Sequence, residues 1–318
     1  MTGKKIVIVD VIKAAACIMI FLYHCNTILP GEWKFITIFG QDLGNNLFFM
    51  VSGFTLAYSI KRSGWREFGS WYLKRLKRIL PMTALAYALT WVRGYYSFSD
   101  PAQLFAVFIY PTLYWFITAI LIFYILLFIV GKLTDIRVQG LLLILLAGTY
   151  TALAGRQERL YVIGFFSMLT GYVVMTILEK RREFSGEKKR VPLLCIIFFL
   201  SVAVFIIAEN MEVSKLSGAM ILTGMTGTGV SALIAGYILN DELSGWFADK
   251  KRLTGFIRYL GGMALPLYLV QCFCSGYIGF YIGLHVNFPL SFLVNFVVVW
   301  SAGTTLYFLN SLLMQKGR

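Results

Sequence analysis

Long apolar runs alternate with short polar segments along the whole chain. Each run is close to the ~20 residues that a helix needs to cross the hydrocarbon core of a bilayer. Lipid offers the backbone no hydrogen bonds, so segments of this kind must be helical. The pattern predicts an all-α, polytopic integral membrane bundle of about ten transmembrane helices, forming a single domain over residues 1–318. The predicted spans lie near residues 6–29, 43–62, 80–97, 112–131, 139–154, 160–179, 191–208, 217–239, 259–284 and 289–313.

The segment RSGWREFGSWYLKRLKRIL, between the second and third runs, has a different pattern. Apolar and aromatic residues recur at three- and four-residue intervals, and basic residues occupy much of the rest. This pattern predicts an amphipathic helix lying at the cytoplasmic interface, with aromatic rings toward lipid and cations toward head groups. It fits a simple membrane anchor as well as a functional element.

Composition supports a membrane protein and excludes a water-soluble one. The chain is 58% hydrophobic, has a mean hydropathy of +0.74 and carries only 14% charged residues. Soluble domains carry about 25%. A soluble fold of this length could not cover so much apolar surface with polar side chains.

The charge distribution predicts the topology. The 29 Lys and Arg residues outnumber the 15 Asp and Glu residues, giving a net charge of +14. With the N-terminus inside, most of the basic residues fall in cytoplasmic segments, as the positive-inside rule requires. We therefore expect a multi-pass protein of the cell membrane, with both termini cytoplasmic and its basic loops against anionic head groups. Nucleic acid is not needed to explain the charge.

The first span carries Asp10, Lys13 and His24, and ionisable groups at such positions are functional candidates. Asp10 and Lys13 are three residues apart and can pair on one helical face. Lys13 and His24 are eleven apart, which leaves only about 20° between them around the helix and about 16 Å along it. With the span centred near residue 17 or 18, His24 lies about 10 Å to the external side of the middle. This polar face could bind a neighbouring helix through hydrogen bonds, or it could form a functional site.

Four further stretches carry a family resemblance: NLFFMVSGFTLAYS, WYLKRLKRILP, LYWFITAILIFY and LGGMALPLYLVQ. In this order, after the first-span residues, they resemble the acyltransferase 3 family of integral-membrane acyltransferases over essentially the whole chain. The resemblance implies transfer of an acyl group, usually acetyl, to hydroxyls of cell-envelope carbohydrates. The function is therefore expected to be O-acylation, with acyl-CoA as co-substrate, no bound cofactor and no metal.

The resemblance also marks individual positions. The family's first-span arginine and histidine correspond to Lys13 and His24, its "FF-x-x-SGF" to residues 48–54, and its Trp-Phe pair to Trp115 and Phe116. Two positions depart from the family. Lysine at 13 keeps the charge but loses the planar fork of arginine. Gln271 stands where many relatives have a histidine, and an amide cannot take up a proton at neutral pH.

For the donor, the phosphates of an acyl-CoA need cations. Arg75 and Arg78 match the family's basic element before a proline, and Lys74 lies four residues before Arg78 on the same helical face. These three residues are the predicted acyl-CoA phosphate contacts. Lys13 is predicted, with His24, to belong to the catalytic residues, and it is expected to meet a more deeply inserted part of the donor.

For the acceptor, a carbohydrate or glycolipid hydroxyl needs a base. A neutral imidazole suits this role, so His24 is the predicted general base, or alternatively the residue that accepts the acyl group and passes it on. The tetrahedral intermediate also needs hydrogen-bond donors. The candidate oxyanion or acceptor contacts are Ser52, Asn45, Asn46, Gln271, Tyr268 and Trp115.

A second class of function fits the same pattern. A membrane transporter or flippase of a polysaccharide precursor or small polar substrate would also use polar groups within spans. It would move its substrate without acyl modification. A third hypothesis for the function is a membrane sensor.

Overall fold

A computed structural model describes residues 7–92, 114–133, 136–154, 159–180, 188–211, 215–275, 281 and 285–316. Within these residues eleven α-helices have defined bounds, and no β-strand is present. The helices are α1 (Val7–His24), α2 (Asn45–Arg62), α3 (Phe68–Val92), α4 (Trp115–Gly131), α5 (Ile136–Ala154), α6 (Arg159–Lys180), α7 (Val191–Glu209), α8 (Lys215–Ile238), α9 (Asn240–Asp249), α10 (Lys251–Phe273) and α11 (Leu290–Lys316).

Each predicted span overlaps one of these helices, which confirms the helical class. Six described helices are long and apolar enough to cross a membrane: α1, α6, α7, α8, α10 and α11. The apolar helix α4 is shorter, with 17 residues. The predicted count of about ten spans is therefore not confirmed. Parts of the first, third, fourth and ninth predicted spans lie outside the described residues, namely residues 6, 93–97, 112–113, 276–280 and 282–284.

The first helix ends earlier than predicted. The apolar run continues to residue 29, but α1 ends at His24, and the following residues form turns before Pro30. The polar residues Asn26 and Thr27 lie in this turn region, where a hydropathy window averages them with Ile28 and Leu29. His24 is therefore the last residue of its helix, about 13 Å from the helix middle.

The predicted amphipathic interfacial helix is not a separate element, because residues 68–92 form the single helix α3. Its aromatic face packs against α4. The ring of Phe128 lies 4.7 Å from that of Trp71 and 4.9 Å from that of Phe68. The Tyr72 hydroxyl donates to the Leu121 carbonyl at 3.3 Å. The aromatic residues that were predicted to face lipid therefore contact protein. This contact holds the basic residues of α3 beside α4.

Glycine residues allow the backbones of α2 and α6 to come into direct contact. A Cβ atom on Gly53 would lie 1.8 Å from the Met168 carbonyl oxygen, and one on Gly171 would lie 1.8 Å from the Met50 carbonyl oxygen. Small residues at helix interfaces allow this kind of contact in membranes. The close approach fixes the position of α2, which carries the polar residues described below.

Contacts define which helix ends lie together. The Lys132 ammonium donates to the Ile60 and Ser63 carbonyls, and Lys61 pairs with Glu179 at 3.1 Å. The ends of α2, α4 and α6 and the start of α3 are therefore adjacent, and we call this the basic end of the bundle. The start of α1 lies at the same end, because α1 runs antiparallel to the π-helical segment Phe39–Gly44, which leads directly into α2. A Cβ on Gly40 would meet Tyr23, and one on Gly44 would meet Ile20.

Helices α1 and α10 run side by side in the same direction. Near the basic end, Gly261 of α10 lies against Asp10 of α1. Toward the other end, the Asn295 amide donates to Cys25 Sγ at 3.4 Å and to Ser275 Oγ at 3.3 Å. Cys25 and Ser275 follow Asp10 and Gly261 by nearly equal numbers of residues, so positions on the two helices can be matched by level.

Candidate active site

A cavity of about 420 Å³ opens between α1, α2, α3, α4 and α10. Its lining includes five of the residues predicted from the sequence: Lys13, Ser52, Lys74, Arg75 and Arg78. Four of these are cationic, and no carboxylate is present among the described residues that line the cavity. The cavity is therefore a strongly positive site set among apolar helices.

Helix α3 supplies three of the cations, which continue the helical face that carries its aromatic residues. Arg75 follows Phe68 by seven residues, and Arg78 follows Trp71 by seven, so each cation lies on nearly the same face about two turns farther along α3. Lys74, Arg75 and Arg78 line the cavity there. The fourth cation, Lys13, comes from α1, about a turn beyond the contact between Asp10 and Gly261. Residues more than sixty positions apart in the sequence thus share one cavity.

Arg75 is held in the cavity wall by hydrogen bonds and ring contacts. Its Nη1 donates to the Trp71 carbonyl at 3.1 Å, and its Nη2 donates to the Ser59 hydroxyl at 2.8 Å. Its guanidinium carbon lies 3.6 Å from the centre of the Trp71 ring and 5.4 Å from that of Tyr124, which also lines the cavity. Both are cation–π distances.

Hydroxyl groups on α2 form another part of the wall. Ser52 donates to the Phe48 carbonyl at 2.8 Å, and Thr55 donates to the Val51 carbonyl at 3.0 Å. Each donor is satisfied within the helix, whereas the hydroxyl oxygen keeps lone pairs that can accept from a ligand. Ser52 in this rotamer is an acceptor rather than an oxyanion donor.

An aromatic group closes the cavity away from the basic end. Phe48 and Phe116 line the cavity with their ring centres 5.0 Å apart, and Tyr268 lies 5.1 Å behind Phe116. Trp115 contacts Phe49 at 5.8 Å. The candidate contacts Tyr268 and Trp115 therefore lie in or behind this aromatic wall and do not line the cavity.

His24 lies outside the cavity. It is half-buried at the far end of α1, and its ring contacts that of Tyr23 at 5.4 Å. Since α1 is unbroken from Val7 to His24, the about 16 Å of helix between Lys13 and His24 remains, and the two residues keep a common face. The structure does not bring His24 and the four cations into one pocket.

Two buried amides lie at levels between Lys13 and His24. Asn46 is two residues beyond Gly44, which faces Ala16 and Ile20 of α1. Gln271 is ten residues beyond Gly261, and so is level with Ile20. Asn46 is fully buried and Gln271 is 1% exposed.

These amides keep unused hydrogen-bonding capacity. Among the described residues, neither side-chain polar atom of Asn46 has a hydrogen-bond partner, and neither does Oε1 of Gln271. An unsatisfied buried polar group costs about 1–3 kcal/mol, so both positions suit a bound polar ligand or water. Asn45, the first residue of α2, donates its backbone N–H to the Asp42 carbonyl.

Comparison with family models decides the assignment, because the acyltransferase domain model of the acyltransferase 3 family matches residues 6–310. The chain belongs to the acyltransferase 3 family. Searches of curated proteins and of solved structures found no match. The protein is thus a membrane acyltransferase, and the transporter or flippase alternative is not favoured.

The sequence interpretation missed several cavity residues of this acyltransferase. Thr55 and the pair Gly261 and Gly262 line the cavity but were not singled out. Ser59 does not line it, yet binds Arg75. A helical-face pattern could have found two of them, because Ser52, Thr55 and Ser59 recur at i, i+3 and i+7 on one face of α2.

Proposed function

We propose that this acyltransferase moves an acyl group from cytoplasmic acyl-CoA to a hydroxyl of a cell-surface or envelope carbohydrate. Acetyl is the first group to test, since the family resemblance implies it. The observation that carries the proposal is the cavity with four cations from two helices and no carboxylate among its described lining residues. A cavity with this positive charge suits an acyl donor that carries several negative charges and a slender, less polar arm.

The donor enters from the basic end, which the positive-inside rule assigns to the cytoplasm. Arg78 and Lys74 lie on one face of α3 and bind phosphate oxygens together with Arg75. Lys13 then meets the donor deeper in the cavity. The pantetheine arm extends past Ser52 and Thr55, whose hydroxyl oxygens accept from its amides, toward the wall formed by Phe48 and Phe116.

The acceptor approaches from the opposite end, where His24 lies. His24 removes the proton of the acceptor hydroxyl, the oxygen attacks the thioester carbonyl, and a C–O bond forms as the C–S bond breaks. The proton held by His24 passes to the departing CoA thiolate. Alternatively, the His24 imidazole attacks the thioester carbonyl, and an N–C bond forms as the C–S bond breaks, with the CoA thiolate taking up the imidazole proton. The acceptor oxygen then attacks the acyl carbon, and His24 leaves with the acceptor hydroxyl proton.

The buried amides support the charge that develops during either route. Asn46 and Gln271 lie at the levels that the acyl group must cross between Lys13 and His24. Their side-chain N–H groups can donate to an oxyanion in a site shielded from water, where such donors act most strongly. In this proposal Gln271 positions the acyl group, and proton transfer stays with His24.

Acetyl-CoA affinity tests the donor half of the proposal. The double variant Lys74→Gln/Arg78→Gln is expected to bind acetyl-CoA at least about 10-fold more weakly, because a hydrogen bond to a charged group contributes about 1.5–3 kcal/mol. Isothermal titration calorimetry on purified protein measures the affinity. The matched control is Lys77→Gln, which removes an exposed cation of the same helix that does not line the cavity.

Equal affinity of the double variant and the wild-type protein would contradict the assignment of these cations to the CoA phosphates. An affinity that falls equally in the Lys77→Gln control would indicate a general effect of surface charge. Absence of acetyl-CoA binding by the wild-type protein would refute the proposed donor.

A further inference from the structure

Ser59 lies where α2 and α3 meet, one helical turn beyond the cavity residue Thr55. Its hydroxyl oxygen accepts two hydrogen bonds from α3, one from Trp71 Nε1 at 2.9 Å and one from Arg75 Nη2 at 2.8 Å. A serine hydroxyl has two acceptor lone pairs. Both are therefore used to hold the two parts of one cation–π pair.

We propose that Ser59 is a positioning residue for acyl-CoA binding, which acts by fixing the Arg75 guanidinium toward the cavity. The proposal rests on the proposed function of the cavity, and adds to it a residue that does not line the cavity itself. Ser59 holds the Trp71 indole edge and the Arg75 guanidinium at once, so the stacking geometry of the pair depends on it.

The hydrogen bonds leave Arg75 able to bind a ligand. A guanidinium has five N–H donors, and Arg75 uses one Nη1 donor on the Trp71 carbonyl and one Nη2 donor on Ser59. The remaining donors make no hydrogen bond to the described residues and are free for phosphate oxygens. A fixed guanidinium binds more tightly than a mobile one, because an unrestrained arginine side chain loses about 2 kcal/mol of rotamer entropy when it is immobilised.

If Ser59 only joined α2 to α3, its hydrogen bond to Arg75 would not be needed. The bond from Trp71 Nε1 to Ser59 already joins the two helices, and the ring contacts of Trp71 and Phe68 with Phe128 attach α3 to α4. The second bond from Ser59 goes to a cation that lines the cavity. Its effect is therefore expected in ligand affinity, beyond any change in stability.

The test compares Ser59→Ala and Ser59→Thr in the full-length protein. Ser59→Ala is expected to raise the acetyl-CoA Kd and the KM about 3- to 10-fold with kcat within about 2-fold. The change is smaller than the full effect of a hydrogen bond to a charged group, because Arg75 still reaches the ligand and loses only the contact that fixes it. Ser59→Thr keeps the hydroxyl and is expected to restore both constants to within about 2-fold of wild type. The control Ser70→Ala removes an exposed hydroxyl of α3 that donates to the Glu67 carbonyl.

A double-mutant cycle separates positioning from general destabilisation. If Ser59 acts through Arg75, then Ser59→Ala has no further effect on acetyl-CoA affinity when Arg75 is already glutamine. Additive losses in Kd would overturn the proposal, and so would wild-type affinity in Ser59→Ala. Absence of acetyl-CoA binding by the wild-type protein would overturn the proposed function and this inference together, whereas an unaffected Ser59→Ala variant would overturn this inference alone.

Discussion

Replacing His24 with alanine is expected to lower the rate of acyl transfer at least about 100-fold, because a general base contributes about 10²- to 10⁴-fold. Affinity for acetyl-CoA is expected to stay within about 2-fold of wild type, since His24 lies outside the cavity and about 16 Å along α1 from Lys13. Rates with purified protein measure the first effect. Mass spectrometry of envelope carbohydrates from cells with and without the variant measures its consequence in the cell.

The matched control is His285→Ala. The chain has two histidines, and His285 is exposed. Transfer should be normal in this variant. An unchanged acyl pattern in cells that express His24→Ala, or an unchanged rate in vitro, would remove His24 from the mechanism.

The same variant distinguishes the two routes through His24. If the imidazole accepts the acyl group, wild-type protein incubated with acetyl-CoA and no acceptor should gain the mass of one acetyl group at His24. His24→Ala should not gain it. If His24 is a general base only, neither protein should be acylated, and transfer should still depend on His24.

Replacing Gly53 or Gly171 with alanine is expected to destabilise the bundle more than any other single-methyl change discussed here. The new Cβ would lie 1.8 Å from a backbone carbonyl oxygen of the facing helix in each case. Backbone on both sides leaves no flexible side chain to move aside, so the cost should reach or exceed the upper part of the usual overpacking range, about 3 kcal/mol. The melting temperature in detergent should then fall by roughly 5–10 °C.

Gly140→Ala provides the control within helix α5, because a Cβ built there meets no atom within 4 Å among the described residues, apart from the adjoining backbone of its own helix and its two chain neighbours. Alanine is favoured over glycine in a helix by about 1 kcal/mol, so this variant should be at least as stable as wild type. Thermal unfolding, followed by fluorescence-detection size-exclusion chromatography, compares Gly53→Ala, Gly171→Ala and Gly140→Ala. Wild-type stability of Gly53→Ala and Gly171→Ala would mean that α2 and α6 are not in backbone contact.

The cavity should also respond to these glycine variants. Helix α2 carries Phe48, Ser52 and Thr55 along the cavity wall, and Gly53 is on the same turn. If the clash moves α2 away from α6, the distance from Ser52 to the cations of α3 changes. We therefore expect weaker acetyl-CoA binding in whatever folded protein remains.

The helical elements were predictable because local sequence decides them. An apolar run near 20 residues has one way to satisfy its backbone in lipid, so each predicted span overlaps an α-helix. Boundaries were less predictable. At the end of α1 the chain turns at Asn26 and Thr27 although Ile28 and Leu29 continue the apolar run. The basic segment before Pro81 was expected as a separate interfacial helix, yet it continues through the proline as α3.

In the candidate site, too, some features were predictable from the sequence and others were not. The sequence alone determined the face shared by Lys13 and His24 and the distance between them, because both follow from the geometry of one unbroken helix. It also identified Lys74, Arg75 and Arg78 as one basic group, since they lie within five residues of each other. Local spacing is sufficient for both.

Only the tertiary structure decided which of these residues meet. Lys13 meets the cations of α3, His24 lies outside their cavity, and Ser59 binds Arg75. All three arrangements depend on contacts between different helices. Those contacts follow from side-chain packing, such as Trp71 on Phe128, and from glycine pairs that set helix separation. The apolar pattern of a membrane helix carries little of this information, because a lipid-facing surface and a helix-facing surface are both apolar.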